Sequence, residues 1–307
     1  MGTSLSLLIN SHLAEQYHFE ICTPEEFLAS SETATAAIFH DAMNWKTLPL
    51  LWKLKKRTRL IIQNHHYTSG FEHQNVPAPS RFRLMLKLSF SQAQQVMAVS
   101  HAQAKWMREL NLVPAKRLLA FQQCYPMDKL FALPLKVPGR PLLLAAYGRF
   151  CHMKGFDVLI QAMAKLSGEP IHLKLGGYGA DEAKLRAQAA GLINVEFVGL
   201  VKDVPAFLNS CDVVVVPSRW EPFGGVCLEA KAAGRPVIVS HVDGLAEQIT
   251  GCGLTVPPED VDALAGAILS LMTTDLPTLG ATGRSNAKEH VERYFTNWSK
   301  LLMELAA

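Results

Sequence analysis

Short apolar runs alternate with longer amphipathic stretches along most of this 307-residue chain. Runs rich in Val, Ile and Leu are typical of buried parallel strands, and apolar residues spaced by three or four are typical of helices packed on a sheet. The predicted strands are 19–22, 36–39, 60–63, 96–99 and 118–121, then 142–147, 172–175, 195–198, 213–216, 237–239 and 254–256. The predicted helices are 4–16, 24–30, 44–56, 80–94 and 101–110, then 156–166, 181–190, 203–209, one from 226, 260–272, and one or two within 284–305. This alternation predicts an α/β protein with doubly wound parallel sheets.

A proline-rich segment interrupts the alternation. Residues 132–141 contain three prolines and a glycine, which is a linker composition. We therefore predict an N-terminal Rossmann-like domain at 1–131, a linker at 132–141, a C-terminal Rossmann-like domain at 142–285 and a C-terminal helix at 286–307 that packs back on the first domain. Two such domains create a cleft, where ligands often bind.

Composition narrows the class of protein. Hydrophobic residues make up 49% of the chain and charged residues 19%, which suits a protein with a substantial core. No apolar run approaches the roughly 18 residues that span a bilayer, and the N-terminus lacks the pattern of a secretory leader. The six cysteines form no C-x-x-C pair, so we expect reduced thiols in a cytoplasmic protein.

Charge is divided unevenly between the two halves. Residues 1–140 contain 16 Lys and Arg against 9 Asp and Glu, whereas residues 141–307 contain 14 against 18. The segment Trp52–Arg59, with Trp45 before it and the basic residues of 81–87 after it, could lie on the anionic inner face of a membrane. The alternative is a solvated helix end, and Pro49 disturbs a regular amphipathic helix.

The segment 211–240 contains the strongest chemical signal. It predicts a buried strand, a loop, a helix and a second strand, an arrangement whose helix N-terminus can bind an anion. Glu221 precedes Pro222 and lies outside the helix, whereas Glu229 lies about one turn inside it. Gly224 and Gly225 allow a ligand to approach the backbone closely. Taken singly, each glutamate could equally be an ordinary solvated acid.

The segment Glu221-Pro-Phe-Gly-Gly-Val-Cys-Leu-Glu229-Ala resembles the signature of the GT4-type retaining glycosyltransferases, in which two glutamates are separated by seven residues. The resemblance implies a GT-B fold, with two Rossmann-like domains that face each other across a cleft. It implies that Glu229 holds the ribose of a sugar nucleotide and that Glu221 lies against the donor sugar. The donor site would also include Phe223, Gly224, Gly225 and Val226.

Further positions match the same family. The turn Gly148–Gly155 matches its diphosphate-binding segment, so Arg149 and Lys154 are predicted to bind the donor and to assist catalysis. By the same resemblance, Gly177 and Val201 would line the donor pocket, and His65 would be a catalytic residue near the donor sugar. Asp260-Val-Asp262 has the form of a metal-binding D-x-D motif, but we interpret it as the cap of a helix; no metal is expected.

The sequence departs from the family pattern in two places. Family members begin with a strand and a glycine-rich loop, whereas this chain starts at Met1-Gly2-Thr3; either the first domain is shortened at its N-terminus, or the recorded start of the sequence is late. Cys124-Tyr-Pro-Met-Asp128 replaces a G-V-D segment. Both departures fall in the domain expected to bind the acceptor.

The expected function is a retaining, metal-independent transfer of a hexose, preferably glucose, from a nucleotide sugar to a glycan, a lipid-linked sugar or a small-molecule hydroxyl. A UDP-sugar is favoured over a GDP-sugar as co-substrate, with no separate cofactor and no nucleic-acid partner. Two alternatives stay open: a non-catalytic subunit that binds sugar nucleotides, and a nucleotide-sugar epimerase or hydrolase on the same fold.

Overall fold

A computed structural model describes residues 4–306, so the predicted departure at Met1-Gly2-Thr3 lies outside the described residues. The chain divides into two compact units. Unit 1 contains the described residues up to Pro126 together with those from Glu292 onward, and unit 2 is Met127–Val291. The proline-rich segment 132–141 therefore belongs to unit 2.

Unit 1 is built on a sheet of four parallel strands in the order β1-β2-β3-β4. The register aligns Ile38 with Ile61, Ile62 with Val96, and Ala98 with Ala120. The strands are β1 (Ala36–Phe39), β2 (Arg59–Asn64), β3 (Gln95–Ala98) and β4 (Leu118–Ala120). The helices are α1 (Ser4–Ile9), α2 (Pro24–Ala29), α3 (Leu48–Arg57), α4 (Ser69–Asn75), α5 (Pro79–Ser91) and α6 (His101–Glu109). Because all four strands are parallel, their carboxyl ends lie along one edge of this sheet.

Helix positions spaced by three and four residues form the core of unit 1. Leu51 and Leu54 of α3 and Leu86 and Phe90 of α5 are buried in one cluster with the β2 residue Ile62. Burial of such side chains contributes about 1.5 to 3 kcal/mol each.

Unit 2 is built on six parallel strands in the order β10-β9-β8-β5-β6-β7. Read from the β7 edge, this is the order 3-2-1-4-5-6 of a dinucleotide-binding sheet, with its switch point between β5 and β8. The strands are β5 (Leu142–Arg149), β6 (Ile171–Tyr178), β7 (Val195–Gly199), β8 (Val213–Val216), β9 (Val237–Ser240) and β10 (Gly253–Val256). The helices are α7 (Asp128–Phe131), α8 (Phe156–Lys165), α9 (Glu182–Gln188), α10 (Val204–Asn209), α11 (Gly225–Ala232), α12 (Asp243–Ala246) and α13 (Val261–Ser270).

The last helix, α14 (Leu276–Ala306), is continuous over 31 residues. Its residues from Glu292 onward are grouped with unit 1, where Trp298 packs edge-on against Phe121 with ring centroids 5.4 Å apart. Within residues 4–306, no single helix is both long and apolar enough to cross a bilayer; the pair 261–273 and 276–306, bent by 107°, meets that criterion only when its two members are taken together.

Both predicted sheets of parallel strands are confirmed, but three local predictions differ from the structure. The predicted strand 19–22 is wrong: the segment is irregular and Ile21 is exposed, so it has no apolar face to bury. The predicted helix 4–16 is interrupted, because the Ser11 hydroxyl accepts the amide of Leu13 and starts a separate 3-10 turn. Helix α4 was missed; Thr68 caps it through the amide of Phe71.

Candidate functional site

The loops that follow β5 and β8 meet at the switch point of unit 2. The amide of Arg219 donates to the carbonyl of Met153 across 2.8 Å. Gly155 has φ 63°, and a Cβ there would lie 2.0 Å from the carbonyl oxygen of Pro217. Only a residue without a side chain permits this approach, so the glycine that ends the predicted diphosphate turn is what lets the two loops touch.

A second close approach explains a predicted site residue. A Cβ on Gly177 would lie 1.9 Å from the carbonyl oxygen of Gly148 on the adjacent strand. The neighbouring Gly176 faces Val201 in the same way, since its Cβ would lie 2.3 Å from a methyl group of that residue. Gly177 and Val201, both predicted to line the donor pocket, therefore lie at the carboxyl ends of β6 and β7, beside the end of β5.

Arg219 fixes the loop that precedes the two glutamates. Its guanidinium donates to both carboxylate oxygens of Asp157 at 2.8 and 2.9 Å, to Glu259 at 2.7 Å and to the carbonyl of His152 at 2.8 Å, and its side chain is only 6% exposed. Burial alone would raise the pKa of Asp157, but the hydrogen bonds and charge of Arg219 outweigh it and hold that pKa below its usual value. Sequence reasoning missed this residue; an arginine in the short loop between a buried strand and Glu221-Pro222 was the available signal.

The structure brings together Lys154 and Glu221, two of the predicted site residues. The Lys154 ammonium donates to a Glu221 carboxylate oxygen, and Glu221 is 8% exposed. The backbone amide of Glu221 donates to Asp243 at 3.1 Å. Arg149, at the end of β5, is exposed. The switch point thus carries one cation paired with an acid and a second cation that faces solvent.

Helix α11 begins beside this pair. Gly224 is its N-cap at φ 94°, ψ 68°, and no side chain caps the helix. The first hydrogen bond within the helix is made by the amide of Cys227 to the carbonyl of Gly224. The preceding amides, those of Gly225 and Val226, have no partner within the helix and can bind an anion. The Phe223 ring is 2% exposed and stacks on His290, so Phe223 can offer a ligand only its backbone.

Glu229 lies in α11 and is held by a residue that the sequence analysis did not select. The hydroxyl of Tyr147 on β5 donates to a carboxylate oxygen of Glu229 across 2.5 Å. Burial raises the pKa of Glu229, while the Tyr147 hydrogen bond opposes that rise. Burial and the nearby carboxylate also raise the pKa of Tyr147 well above its usual value. The hydroxyl is therefore a permanent donor, which leaves the other Glu229 oxygen for a ligand.

Unit 1 has its own polar cluster, at the carboxyl ends of β1 and β2. His65 follows β2, as predicted, and its Nε2 lies 2.9 Å from Nδ1 of His40, which follows β1. Gln123 contacts Nδ1 of His65, and the hydroxyl of Tyr125 donates to Gln123 across 2.8 Å. Burial lowers the pKa of His65 to about 3 and that of His40 to about 4. Both imidazoles are therefore neutral near pH 7.

The D-x-D sequence has the role expected of a helix start. Asp260 is the N-cap of α13, and its carboxylate accepts the amide of Ala263 at 2.9 Å. Asp262 pairs with Lys165. Within the part of the chain that the structure describes, no group of three or more His, Cys, Asp or Glu side chains could hold a metal ion.

Comparison with known proteins identifies relatives for unit 2. The family model described as "Glycosyl transferases group 1" matches residues 141–274. The lipopolysaccharide core biosynthesis mannosyltransferase LpsB of Rhizobium meliloti is 32% identical over 154 residues, which cover 45% of this chain and 43% of that protein. The phosphatidyl-myo-inositol mannosyltransferase of Mycobacterium leprae is 34% identical over 160 residues, covering 50% and 41%. The chain thus spans less than half the length of these relatives.

Solved structures extend the likeness to most of the chain. Sucrose-phosphate synthase from Thermosynechococcus elongatus superposes with a TM-score of 0.70 at 26% identity, covering 87% of this chain and 73% of that one. Anabaena HepE, in complex with UDP and glucose, superposes with a TM-score of 0.71 at 20% identity, covering 86% and 77%. At that identity the second likeness shows the fold alone.

Proposed function

We propose that this chain is a retaining, metal-independent glycosyltransferase that moves a hexose from a nucleotide sugar, a proposal supported by the match of residues 141–274 to the model of the group 1 glycosyl transferases. One observation carries the proposal: the pair Lys154–Glu221 lies just before the start of α11, and Glu229 lies within that helix, at the switch point of the unit 2 sheet. Ligands of such sheets bind at that place.

In this proposal, Glu229 holds the ribose. An ionised carboxylate can accept hydrogen bonds from both hydroxyls of a vicinal diol. Tyr147 occupies one oxygen of Glu229 and so fixes the orientation of the carboxylate before the nucleotide arrives. A preoriented acceptor reduces the entropy lost on binding.

The diphosphate would lie at the first amides of α11, beside Lys154 and Arg149. The positive end of the helix dipole and the two cations would stabilise the charge that develops on the leaving diphosphate, which is usually the largest catalytic contribution. Lys154 would exchange its contact with Glu221 for one with phosphate. Glu221, released, would then contact the donor sugar. Retention would follow from attack on the same face as departure, with the leaving phosphate taking the proton of the acceptor hydroxyl.

The donor is proposed from the sequence and the acceptor from the relatives. The sequence favours a UDP-sugar and glucose, so we propose UDP-glucose as the first donor to test. One curated relative is named for lipopolysaccharide core biosynthesis and the other as a phosphatidyl-myo-inositol mannosyltransferase, so we propose a glycan or lipid-linked sugar as acceptor.

Contact with a membrane is a further part of the proposal. Trp45 and Trp52 are exposed, and each lies under a cation: Lys56 is 3.3 Å from the Trp52 ring centroid and Arg81 is 5.8 Å from that of Trp45. Aromatic rings flanked by cations suit an anionic bilayer surface. Cosedimentation with phosphatidylglycerol vesicles, but not phosphatidylcholine vesicles, is expected, and Trp52→Ala should weaken it while the exposed Ile193→Ala does not. Equal binding by both variants would refute the contact.

The proposed activity is tested by mixing the purified chain with UDP- and GDP-sugars and measuring release of nucleoside diphosphate with and without acceptors. Acceptor-dependent release, with retention of anomeric configuration by NMR, is expected. Tight nucleotide binding without turnover over many acceptors would instead indicate a non-catalytic subunit. Turnover without an acceptor, giving free sugar or an epimerised nucleotide sugar, would indicate a hydrolase or an epimerase.

A further inference from the structure

The histidine pair of unit 1 assigns a role to a residue outside the predicted site. We propose that His40, through its Nε2, is the imidazole that contacts a sugar hydroxyl, and that His65 is the positioning residue that orients it. The inference rests on the proposed function, because it deepens the site of the same reaction. Within this cluster, His40 rather than His65 is then the group in contact with substrate.

Both ring nitrogens of His65 are already engaged by protein groups. Nε2 lies 2.9 Å from Nδ1 of His40, and Nδ1 is contacted by the side-chain amide of Gln123. An imidazole has only two nitrogens. His65 therefore has no hydrogen-bonding atom left for a substrate unless this arrangement breaks.

The position of each proton along this chain of hydrogen bonds follows from the first donor in it, the Tyr125 hydroxyl. The Tyr125 hydroxyl donates to the Gln123 oxygen, so the Gln123 amide nitrogen faces His65. That nitrogen can only donate, and Nδ1 of His65 must accept. His65 then carries its proton on Nε2 and donates it to Nδ1 of His40. His40 in turn carries its proton on Nε2, the one ring nitrogen of the pair for which no described protein group is a hydrogen-bond partner.

The turn that holds His65 is rigid. Asn64 is fully buried, accepts the amides of His66 and Tyr67 at 3.2 Å each and donates to the carbonyl of Tyr67 at 3.1 Å. Gln103, also buried, donates to the same carbonyl at 2.8 Å and accepts the amide of Val99 at 2.7 Å. These bonds fix the backbone of the turn, and turning the His65 ring towards a ligand would break its contacts with His40 and Gln123.

His40, in contrast, lies at the edge of the cluster. It is half-buried, at the carboxyl end of the edge strand β1, and the exposed Asp41 follows it. Burial keeps its ring neutral. A neutral imidazole that carries its proton on Nε2 donates one N–H to an uncharged oxygen, which matches a sugar hydroxyl better than a phosphate.

Two substitutions separate the two ring nitrogens of His40. Asparagine reproduces the Nδ1 side of histidine and can still accept from His65, but it has nothing at the Nε2 position. Glutamine places its amide near Nε2 but cannot serve as the partner of His65. If Nε2 contacts the substrate, His40→Asn should lower kcat/KM for sugar transfer about tenfold or more, and His40→Gln should lose less.

Affinity for UDP, measured in the same variants, should stay within about twofold of the parent chain, because the nucleotide contacts proposed above lie in unit 2. The opposite order, with His40→Asn active and His40→Gln impaired, would show that His40 only supports His65 and would overturn the inference. A parent chain without sugar transfer would instead refute the proposed function, so the two failures are distinguishable.

Nitrogen-15 NMR of the histidine rings in the parent chain tests the same arrangement without an activity assay. Both His40 and His65 should carry the proton on Nε2 near pH 7. The ring N–H of His65 should exchange slowly with solvent, and that of His40 quickly. A His65 ring N–H that exchanges as fast as that of the exposed His172, or a His40 proton on Nδ1, would overturn the inference.

Discussion

Replacement of Glu229 gives the sharpest test of the donor site. Glu229→Ala removes an ionised acceptor from a half-buried position about one turn inside α11. A charge-assisted hydrogen bond contributes about 1.5 to 3 kcal/mol, so the dissociation constant for UDP should rise about ten- to a hundredfold. Isothermal titration calorimetry measures the change directly.

A nucleotide that lacks a ribose hydroxyl tests whether the lost affinity comes from a contact between Glu229 and the ribose. The parent chain should bind 2′-deoxy-UDP more weakly than UDP, and Glu229→Ala should bind the two alike. Tyr147→Phe keeps the ring in the core but frees the carboxylate, so its loss should be smaller and in the same direction. Glu196→Gln, on the exposed face of β7, is the matched control and should bind as the parent does. If Glu229→Ala binds UDP as tightly as the parent, or still prefers it to the deoxynucleotide, the reasoning fails.

The same residue predicts a pH dependence of binding. Burial raises the pKa of Glu229, and only the ionised carboxylate accepts two hydroxyl hydrogen bonds. Affinity for UDP should therefore fall as the pH decreases through the raised pKa, above the ordinary value of 4.5. In Glu229→Gln the component of the pH profile due to this residue should be absent. An unchanged profile would contradict the assignment.

Three further predictions concern stability. In urea unfolding, Gly155→Ala should lower the free energy of unfolding by more than the roughly 1 to 2 kcal/mol that a left-handed backbone costs a residue with a side chain, because its Cβ would also lie 2.0 Å from a carbonyl oxygen. The control Gly191→Ala, at φ 83° with open space around it, should show the backbone cost alone. Arg219→Leu leaves a part-buried carboxylate without its partner and should cost about 3 to 5 kcal/mol, whereas Arg186→Leu, in an exposed pair, should cost under about 1; equal losses in thermal unfolding would contradict this. The pKa of His65 is lowered from 6.5 to about 3, so its contribution to stability is present above pH 6.5 and is lost as the pH falls towards 3; His65→Gln should flatten that part of the acid-unfolding profile, and an unchanged slope would refute it.

The fold was largely predictable from sequence because buried parallel strands need uninterrupted apolar residues. The four consecutive valines Val213–Val216 predict a buried strand, and in β8 all four side chains are buried. The segment 19–22 imitated a strand because periodicity over four residues does not reveal whether a neighbouring strand is available to pair with it. Such pairing depends on residues distant in the sequence.

Sequence motifs predicted those features of the candidate site that depend on the spacing of residues along the chain. They did not predict the features that depend on contacts made in the fold. Lys154 and Glu221 stand at the ends of two strands that meet at the switch point, and the structure pairs them. Tyr147 was missed because its side chain reads as one more apolar position of β5, and only the fold shows that its hydroxyl reaches Glu229. His40 was not among the predicted site residues, because its pairing with His65 joins residues 25 apart in the sequence.

The ion pair between Lys154 and Glu221 affects which molecules can bind at the switch point of unit 2. In the resting protein that lysine is already satisfied, so an incoming compound must offer it an anion at least as good as a carboxylate. A bare nucleoside has no such group to exchange and leaves the pair closed. In the proposed donor site, the contact therefore disfavours uncharged mimics of the donor, and Glu221 becomes available to the sugar only after a phosphorylated molecule has displaced it from Lys154.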